Sequence, residues 1–186
     1  MGRFSAALLF WSLLLSGSPA DYQSAKRKIA LIENDEVRPG TIVHLSVSEL
    51  NAWITEEVPA AVPRGVRNPK LELGYGTATG SALVDFLKLR EAKSASTSWL
   101  MARLLEGERP VRVTARILSG SGRATVELDR VEISGLTISG SALDFLIENF
   151  LLSYYPEAKI GTPFELGHRI DRLIIQPSGV GVAIGN

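Results

Sequence analysis

The sequence predicts an α+β domain in which several helices lie on one side of a largely antiparallel sheet. Two observations lead to this fold class. Stretches whose apolar residues recur at spacings of three and four, typical of helices, are interrupted by stretches in which apolar and polar residues alternate, typical of strands. Several alternating stretches also follow one another through short connections containing Gly, which favours antiparallel pairing.

The chain begins with the features of a secretory signal peptide. Arg3 is followed by the apolar run 4–15 and by Ser18-Pro19-Ala20, a small-x-small cleavage site. The apolar run is shorter than the about 20 residues that are needed to span a bilayer. We therefore expect a signal peptide over residues 1–20 and one mature domain over residues 21–186, exported to the periplasm or the extracellular space.

Charge and cysteine content narrow the function classes. The predicted mature chain carries 19 basic and 20 acidic side chains, because Arg3 is the one charged residue of the leader. This balance argues against nucleic acid as a partner, since phosphate binding needs a concentrated basic face. Cysteine is absent, which excludes disulfides, thiolate metal sites and thiol nucleophiles. No cofactor is expected.

Two helices are predicted early in the mature chain. One spans residues 21–33 and has a single apolar side formed by Ala25, Ile29 and Ile32. The second begins where Ser46 and Glu49 form a capping box, in which each side chain satisfies a free backbone N–H at the helix start. This helix is expected to end at Val58, before Pro59.

Two further helices are predicted later, over residues 94–106 around Trp99 and over residues 141–155. Between Leu143 and Leu152, the polar side chains of the last helix are only Asp144, Glu148 and Asn149. Its apolar surface therefore covers most of the circumference, which is more than one packed face requires.

Alternating residues predict strands over segments 43–45, 71–75, 82–86, 111–117, 124–128, 131–138 and 170–184. The clearest prediction is the hairpin over 111–128, closed by a type II′ turn at Gly120-Ser121. This turn makes one face apolar by pairing Val113 with Leu128, Ala115 with Val126 and Ile117 with Ala124.

The residue patterns of the common enzyme classes are missing, so a non-enzymatic protein is expected. There is no Gly-x-Ser-x-Gly elbow for a serine nucleophile, and the two histidines, His44 and His168, lack metal-ligand spacing. The glycines at 74, 76 and 80 do not match a phosphate-binding loop. An envelope hydrolase stays open as an alternative, and it would need one of the histidines to lie beside a serine and a carboxylate.

The apolar residues of the second and last helices, with Trp99, exceed what one sheet needs to cover. They are either all core, or they line an elongated cleft that takes an apolar ligand such as an acyl chain. The residues expected to line such a site are Leu50, Trp53, Ile54, Trp99, Leu143, Leu146, Ile147, Phe150 and Leu151.

Two segments carry a resemblance to a known family. Residues 43–54, with the sequence VHLSVSELNAWI, resemble the strand-to-helix entry of small bacterial exported proteins with TULIP-like, tubular lipid-binding folds. Residues 163–182, from Pro163-Phe164 to Gly181-Val182, are similar to the closing strands of the LmeA-like phospholipid-binding group. The resemblance implies a curved sheet wrapped on amphipathic helices, with phospholipid held between them and no catalytic residues.

The sequence thus predicts exported, non-enzymatic binding or carriage of a phospholipid or other acyl ligand in the cell envelope, with contact at a membrane surface as a possible part of this role. The alternative is a structural or protein-interaction domain of the envelope with a filled core and no ligand. Its partner would bind an edge strand or the polar sheet face that carries Arg112 and Arg116.

Overall fold

A computed structural model describes residues 18–61, 65–86, 106–152 and 159–185. It confirms an α+β fold, and all strand pairings within these ranges are antiparallel. Residues 1–17 of the predicted signal peptide, the helix predicted around Trp99 and the last part of the helix predicted to reach Tyr155 lie outside the described residues.

The described chain forms helices and strands in the order α1 Pro19–Glu33, β1 Ile42–Ser46, α2 Val47–Ala61, β2 Val66–Leu73, β3 Thr77–Asp85, β4 Glu108–Gly120, β5 Arg123–Ile133, β6 Leu136–Ile138, α3 Ser141–Leu146, a π-helical turn Ile147–Leu151, β7 Phe164–Glu165, β8 Ile170–Gln176 and β9 Gly179–Ile184.

These strands form two sheets. The smaller has the order β1-β9-β8, and the larger has the order β2-β3-β4-β5-β6, with β7 pairing on β5. The larger sheet begins at β2 and ends at β6, and within the described residues it is not closed into a barrel.

Each sheet has its own apolar cluster, where the sequence led us to expect one main interior. The α1 cluster lies between the smaller sheet and the first two helices, with buried residues Ala25, Ile32, Leu45, Val182 and Ile184. The α3 cluster lies between the larger sheet and α3, with buried residues Val84, Phe86, Val131, Ile133, Ile138 and Leu146. The helices are divided between two sheets, so their apolar sides are covered separately.

Strand β8 joins the two sheets. The Ser119 hydroxyl donates to the Leu173 carbonyl at 3.1 Å and accepts from the Leu173 N–H at 2.9 Å. The Gly76 N–H donates to the Ile175 carbonyl at 3.1 Å. The edge of β8 that does not pair with β9 is therefore bonded to the ends of strands in the larger sheet.

Both early helices are longer than predicted. The Ser18 hydroxyl accepts from the Asp21 N–H at 3.1 Å and caps α1, so this helix begins at Pro19 rather than at Asp21. Helix α2 begins at the predicted capping box but continues through Pro59 to Ala61. Proline lacks an N–H and crowds the preceding turn, and neither effect prevents the following residues from remaining helical.

The predicted hairpin forms with a different register. Its turn residues are Ser121 and Gly122, with φ of 52° and 76°, which is the conformation of a type I′ turn rather than type II′. Ala115 consequently pairs with Leu128, and Ile117 pairs with Val126. These two partners are displaced by two residues. Beyond a register shift between Thr114 and Ala115, Val113 pairs with Val131 rather than with Leu128, so all three pairs differ from the prediction and all three remain apolar.

The predicted segment 170–184 is divided into β8 and β9, and two other strand predictions were also wrong in part. Tyr75 was placed in a strand, but it lies in the turn between β2 and β3, because Gly76 takes φ of 66°. The segment 131–138 is not one strand, because Ser134 and Gly135, with φ of 52° and 79°, form a second tight turn. Glycine takes positive φ without steric strain and can therefore end a strand. The alternation of apolar and polar residues does not reveal this end.

Candidate functional site

The larger sheet has an apolar face that α3 covers only in part. Val84 and Ile133 on this face are buried in the α3 cluster. Further along the same strands, a set of apolar side chains is only half-buried and belongs to neither cluster. This set, the apolar strip, consists of Leu71, Leu73, Ala78, Ala115, Ile117 and Val126.

The register places these side chains next to one another. Leu73 pairs with Ala78, and Ala78 pairs with Ala115, so one row of the strip crosses three strands. Leu71 pairs with Gly80, which pairs with Val113 in the adjoining row. Paired residues project from the same face of a sheet, so the strip is a continuous apolar surface.

The described residues leave space above the sheet at Gly80. A Cβ built at this glycine meets no heavy atom of the described residues within 4 Å. Gly80 alternates along β3 with Ala78 and Ala82, which also have short side chains. The sheet surface is therefore low at Gly80, where the strip meets the part of the face that α3 covers, with the larger Leu71 of the strip on one side and Val113, which packs against the α3 cluster, on the other.

Helix α2 is fixed beside the strip. The Asn51 side chain donates to the Leu71 carbonyl at 2.9 Å and accepts from the Leu71 N–H at 2.8 Å. Ile54 follows Asn51 by three residues and therefore lies on the same side of α2. Ile54 is one of the predicted lining residues, and it lies on the side of α2 that is hydrogen-bonded to the edge of the strip.

The structure distributes the predicted lining residues over two places. Leu50 and Trp53 pack against the α1 cluster, whereas Leu143 and Leu146 belong to the α3 cluster. Three more are half-buried and belong to neither cluster, namely Ile54, Ile147 and Leu151. Trp99 and the side chain of Phe150 lie outside what the structure describes. The described members of the predicted set are therefore not gathered in one apolar cluster.

Sequence reasoning missed the strip itself. Alternation identifies which residues share a face of a strand, but it does not show which rows of that face a helix covers. The signal that was present is the run of short side chains at Ala78, Gly80 and Ala82. In a strand, such residues leave little to pack against and can indicate a close approach of another group.

The opposite face of the larger sheet is polar and ion-paired. The Arg112 guanidinium binds the Glu72 carboxylate at 2.6 Å, and Arg116 lies 3.3 Å from Asp129. Hydrogen bonds from Lys70 and Arg112 lower the pKa of the Glu72 carboxyl. A shallow concavity of about 380 Å³ also opens here, lined in part by Ser81, Leu83, Pro110, Arg112 and Glu132. It lies on the other side of the sheet from the apolar strip.

A buried carboxylate links α1, β1 and α2. Glu49 is 6% exposed and accepts from the Lys28 ammonium at 2.6 Å, the Ser24 hydroxyl at 2.5 Å and the Ser46 N–H at 2.8 Å. Burial alone would raise its pKa, but these hydrogen bonds and the Lys28 charge outweigh burial and hold the pKa at about 2. Glu49 is thus fully hydrogen-bonded within the fold and has the geometry of a structural anchor.

Three further carboxylates also have partners within the fold. Glu127 and Asp129 both lie within ion-pair distance of Arg116, and Glu57 accepts from the Tyr22 hydroxyl at 2.6 Å. Among the described residues, no group of three or more His, Asp or Glu side chains could hold a metal ion. None of the helices in the described ranges is both long and apolar enough to cross a membrane.

Comparisons with protein-family models, with curated proteins and with solved structures returned no match.

Proposed function

We propose that this protein binds or carries a phospholipid or another acyl ligand, without catalysis, and that the acyl chain lies on the apolar strip. The observation that carries the proposal is the space that the described residues leave above Gly80, on an apolar sheet face that α3 covers only in part. Half-buried apolar residues with room above them are what an acyl chain needs to leave water.

The dimensions of the strip suit an extended chain. From Ala78 in the strip to Ala82, which packs against the α3 cluster, strand β3 advances about 13 Å, and Gly80 lies at the midpoint of this distance. Each methylene that leaves water for an apolar surface contributes about 0.8 kcal/mol, so several methylenes over the strip suffice for binding. Three of the described lining residues that the sequence predicted belong to neither cluster. They are Ile54 on α2 and, after α3, Ile147 and Leu151.

The wider setting is part of the same proposal. The leader-like residues 1–20 support export to the periplasm or the extracellular space of a bacterial envelope. The resemblance of residues 43–54 and 163–182 to TULIP-like proteins supports a sheet that curves around helices and a phospholipid as the ligand. An antiparallel sheet with helices against it is compatible with such an arrangement.

A second candidate function is protein interaction through the polar face of the larger sheet. The concavity beside Arg112 and Glu132 is the observation that favours it. A partner there would not depend on the apolar strip, so the two functions can be separated by substitutions on opposite faces.

Filling the space above Gly80 tests the proposal. In Gly80→Leu the new side chain should occupy the room above the strip, and binding of phosphatidylglycerol or a fluorescent fatty acid should fall at least about tenfold. Gly120→Leu is the matched control. Gly120 also has no described heavy atom within 4 Å of a built Cβ, and it alternates along β4 with Arg116 on the polar face.

Native mass spectrometry and a fluorescence titration of the mature chain would measure binding, and thermal unfolding would show that both variants fold. The proposal is supported if only Gly80→Leu loses ligand while its melting temperature stays near that of the parent. It is wrong if the parent binds no lipid, or if Gly80→Leu and Gly120→Leu both fold and bind the ligand equally well.

A further inference from the structure

We infer that the turn between β2 and β3, together with the neighbouring Leu118, is the part of the protein that docks on a lipid bilayer. This surface, the Tyr75 tip, consists of residues 74–76 and Leu118. The inference rests on the proposed function, and it adds the kind of surface from which a bound acyl chain would be collected or to which it would be delivered.

The tip presents two large apolar side chains to solvent. Tyr75 is 79% exposed and Leu118 is 52% exposed, and they are two of the five exposed large hydrophobic residues in the described chain. Their backbones are close, because the Ile117 N–H donates to the Gly76 carbonyl at 2.9 Å, and Leu118 alternates with Ile117 along β4 and therefore projects from the polar face of the sheet. Tyr75 precedes Gly76 in the chain, and Leu118 follows Ile117, so each of them is adjacent to one residue of this hydrogen-bonded pair.

The backbone of the tip is held in place. The Gly74 N–H donates to the Thr77 carbonyl at 2.9 Å, and the Gly76 N–H donates to the Ile175 carbonyl at 3.1 Å. With the bond from Ile117, the turn is tied to β4 in its own sheet and to β8 in the smaller sheet. The exposed ring is thus presented by an ordered backbone, and little conformational entropy is lost when it binds a surface.

The size of the tip favours a bilayer over a protein partner. A stable protein interface buries about 800 Å² on each side and involves about 20 residues, which is far more than two side chains supply. A bilayer can be engaged by a few apolar groups in a weak and reversible manner. A tyrosine is suited to this environment, because its ring is apolar and its hydroxyl remains at the level of the headgroups.

The tip also lies at one end of the apolar strip. Ile117 belongs to the strip and is bonded to Gly76, so a membrane that contacts Tyr75 meets the end of the strip as well. An acyl chain could then pass between the bilayer and the strip with little exposure to water. This position gives the exposed tyrosine a role in the proposed carriage.

Electrostatic attraction should contribute little to docking. Arg116, which pairs with Thr77 at the start of β3, is ion-paired with Asp129 at 3.3 Å. We therefore expect docking to depend weakly on salt and on the anionic lipid content of the vesicle, since paired surface charges attract a membrane weakly.

Because the chain has no cysteine, a single introduced thiol can carry an environment-sensitive fluorophore. Tyr75→Cys and Leu118→Cys place the fluorophore at the tip. Leu136→Cys and Leu31→Cys are matched controls, because these leucines are 60% and 43% exposed and lie elsewhere. Leu136 pairs with Ile133, which in turn pairs with Val111. Val111 lies seven residues, or about 23 Å, along β4 from Leu118.

On addition of phosphatidylcholine vesicles, the emission at positions 75 and 118 should rise about twofold or more and shift to the blue, as expected when a fluorophore enters the bilayer interface. The emission at positions 136 and 31 should change little. Unlabelled Tyr75→Ser and Leu118→Ser should each lower vesicle co-sedimentation about fivefold relative to Leu136→Ser.

The inference is overturned if all four labelled positions respond alike, if only the controls respond, or if none does. A separate titration with a water-soluble fluorescent fatty acid distinguishes this failure from failure of the proposed function. If the fatty acid still binds and Gly80→Leu still abolishes that binding, carriage stands and the docking surface is wrong. If the parent binds no fatty acid, the proposed function fails irrespective of the vesicle result.

Discussion

The side chain of Asn51 is bonded to the backbone of Leu71 as a neighbouring strand would be. Its amide nitrogen donates to the Leu71 carbonyl at 2.9 Å, and its amide oxygen accepts from the Leu71 N–H at 2.8 Å. Leu71 lies on β2, the first strand of the larger sheet, so none of the described strands lies beside its outward backbone groups. Asn51 therefore caps a sheet edge and at the same time fixes α2 beside the apolar strip.

Replacing this amide should be costly. In Asn51→Ala both Leu71 backbone groups lose their partner at a half-buried position, and we expect the free energy of unfolding to fall by about 2 kcal/mol. Urea denaturation measures the loss. The newly uncapped edge of β2 should also increase aggregation, which light scattering would show.

Asn149→Ala is the control for this prediction. The Asn149 amide donates to the Phe145 carbonyl, one turn away in the same helical segment, and no described contact ties it to a strand edge. Its loss should lower the free energy of unfolding by less than about 1 kcal/mol. Equal losses in the two variants would show that Asn51 does not act as an edge cap.

The buried Glu49 predicts a dependence of stability on pH. Its pKa is about 2 in the folded protein against 4.5 for an unperturbed glutamate, so the folded state binds its proton less readily than the unfolded state. The stabilisation is therefore fully present above about pH 4.5 and is lost as the pH falls towards 2. A shift of this size corresponds to about 3 kcal/mol.

Urea denaturation between pH 6 and pH 2.5 measures this term. Lys28→Met leaves the buried carboxylate without its cation and should lower the free energy of unfolding at pH 6 by about 3 kcal/mol. Glu72→Gln is the control, because Glu72 is also ion-paired but its side chain is 45% exposed, and its loss should change stability by less than about 1 kcal/mol. If Glu49→Gln retains the acid-dependent loss of the parent, another group is responsible.

The turn of the β4–β5 hairpin can be tested by a stabilising substitution. Ser121 takes φ of 52°, a conformation that asparagine adopts more readily than serine. Ser121→Asn should therefore raise the free energy of unfolding by about 0.5 kcal/mol. Ser134→Asn, at the equivalent position of the next turn, should do the same.

Ser81→Asn is the matched control, since Ser81 lies within β3 and its φ is not positive. It should produce no gain, because asparagine is disfavoured in strands. A type II′ turn at Gly120 and Ser121 would place Ser121 at the second turn position, where φ is negative and the substitution has no advantage. Thermal unfolding of the three variants therefore distinguishes the two registers.

The difference between the predicted and observed hairpins shows where local information ends. Both registers pair apolar residues with apolar residues, because a displacement of two positions preserves the faces. The observed turn additionally lets the Gly122 N–H donate to the Asp171 carbonyl at 2.9 Å and the Gly122 carbonyl accept from the Leu166 N–H at 2.9 Å. These partners lie more than forty residues away, and alternation within the hairpin carries no information about them.

The sequence by itself determined the α+β class, the capping box that opens α2, and the division of the hairpin strands into an apolar and a polar face. Each of these features depends on the spacing of residues that are close in the chain, and this spacing can be read directly from the sequence. Only the tertiary structure decided that Leu50 and Leu146 belong to different clusters, that Asn51 closes the edge at Leu71, and that the described residues leave space above Gly80. These features depend on which helix covers which row of a sheet, and that is set by contacts between distant segments competing for the same apolar surface.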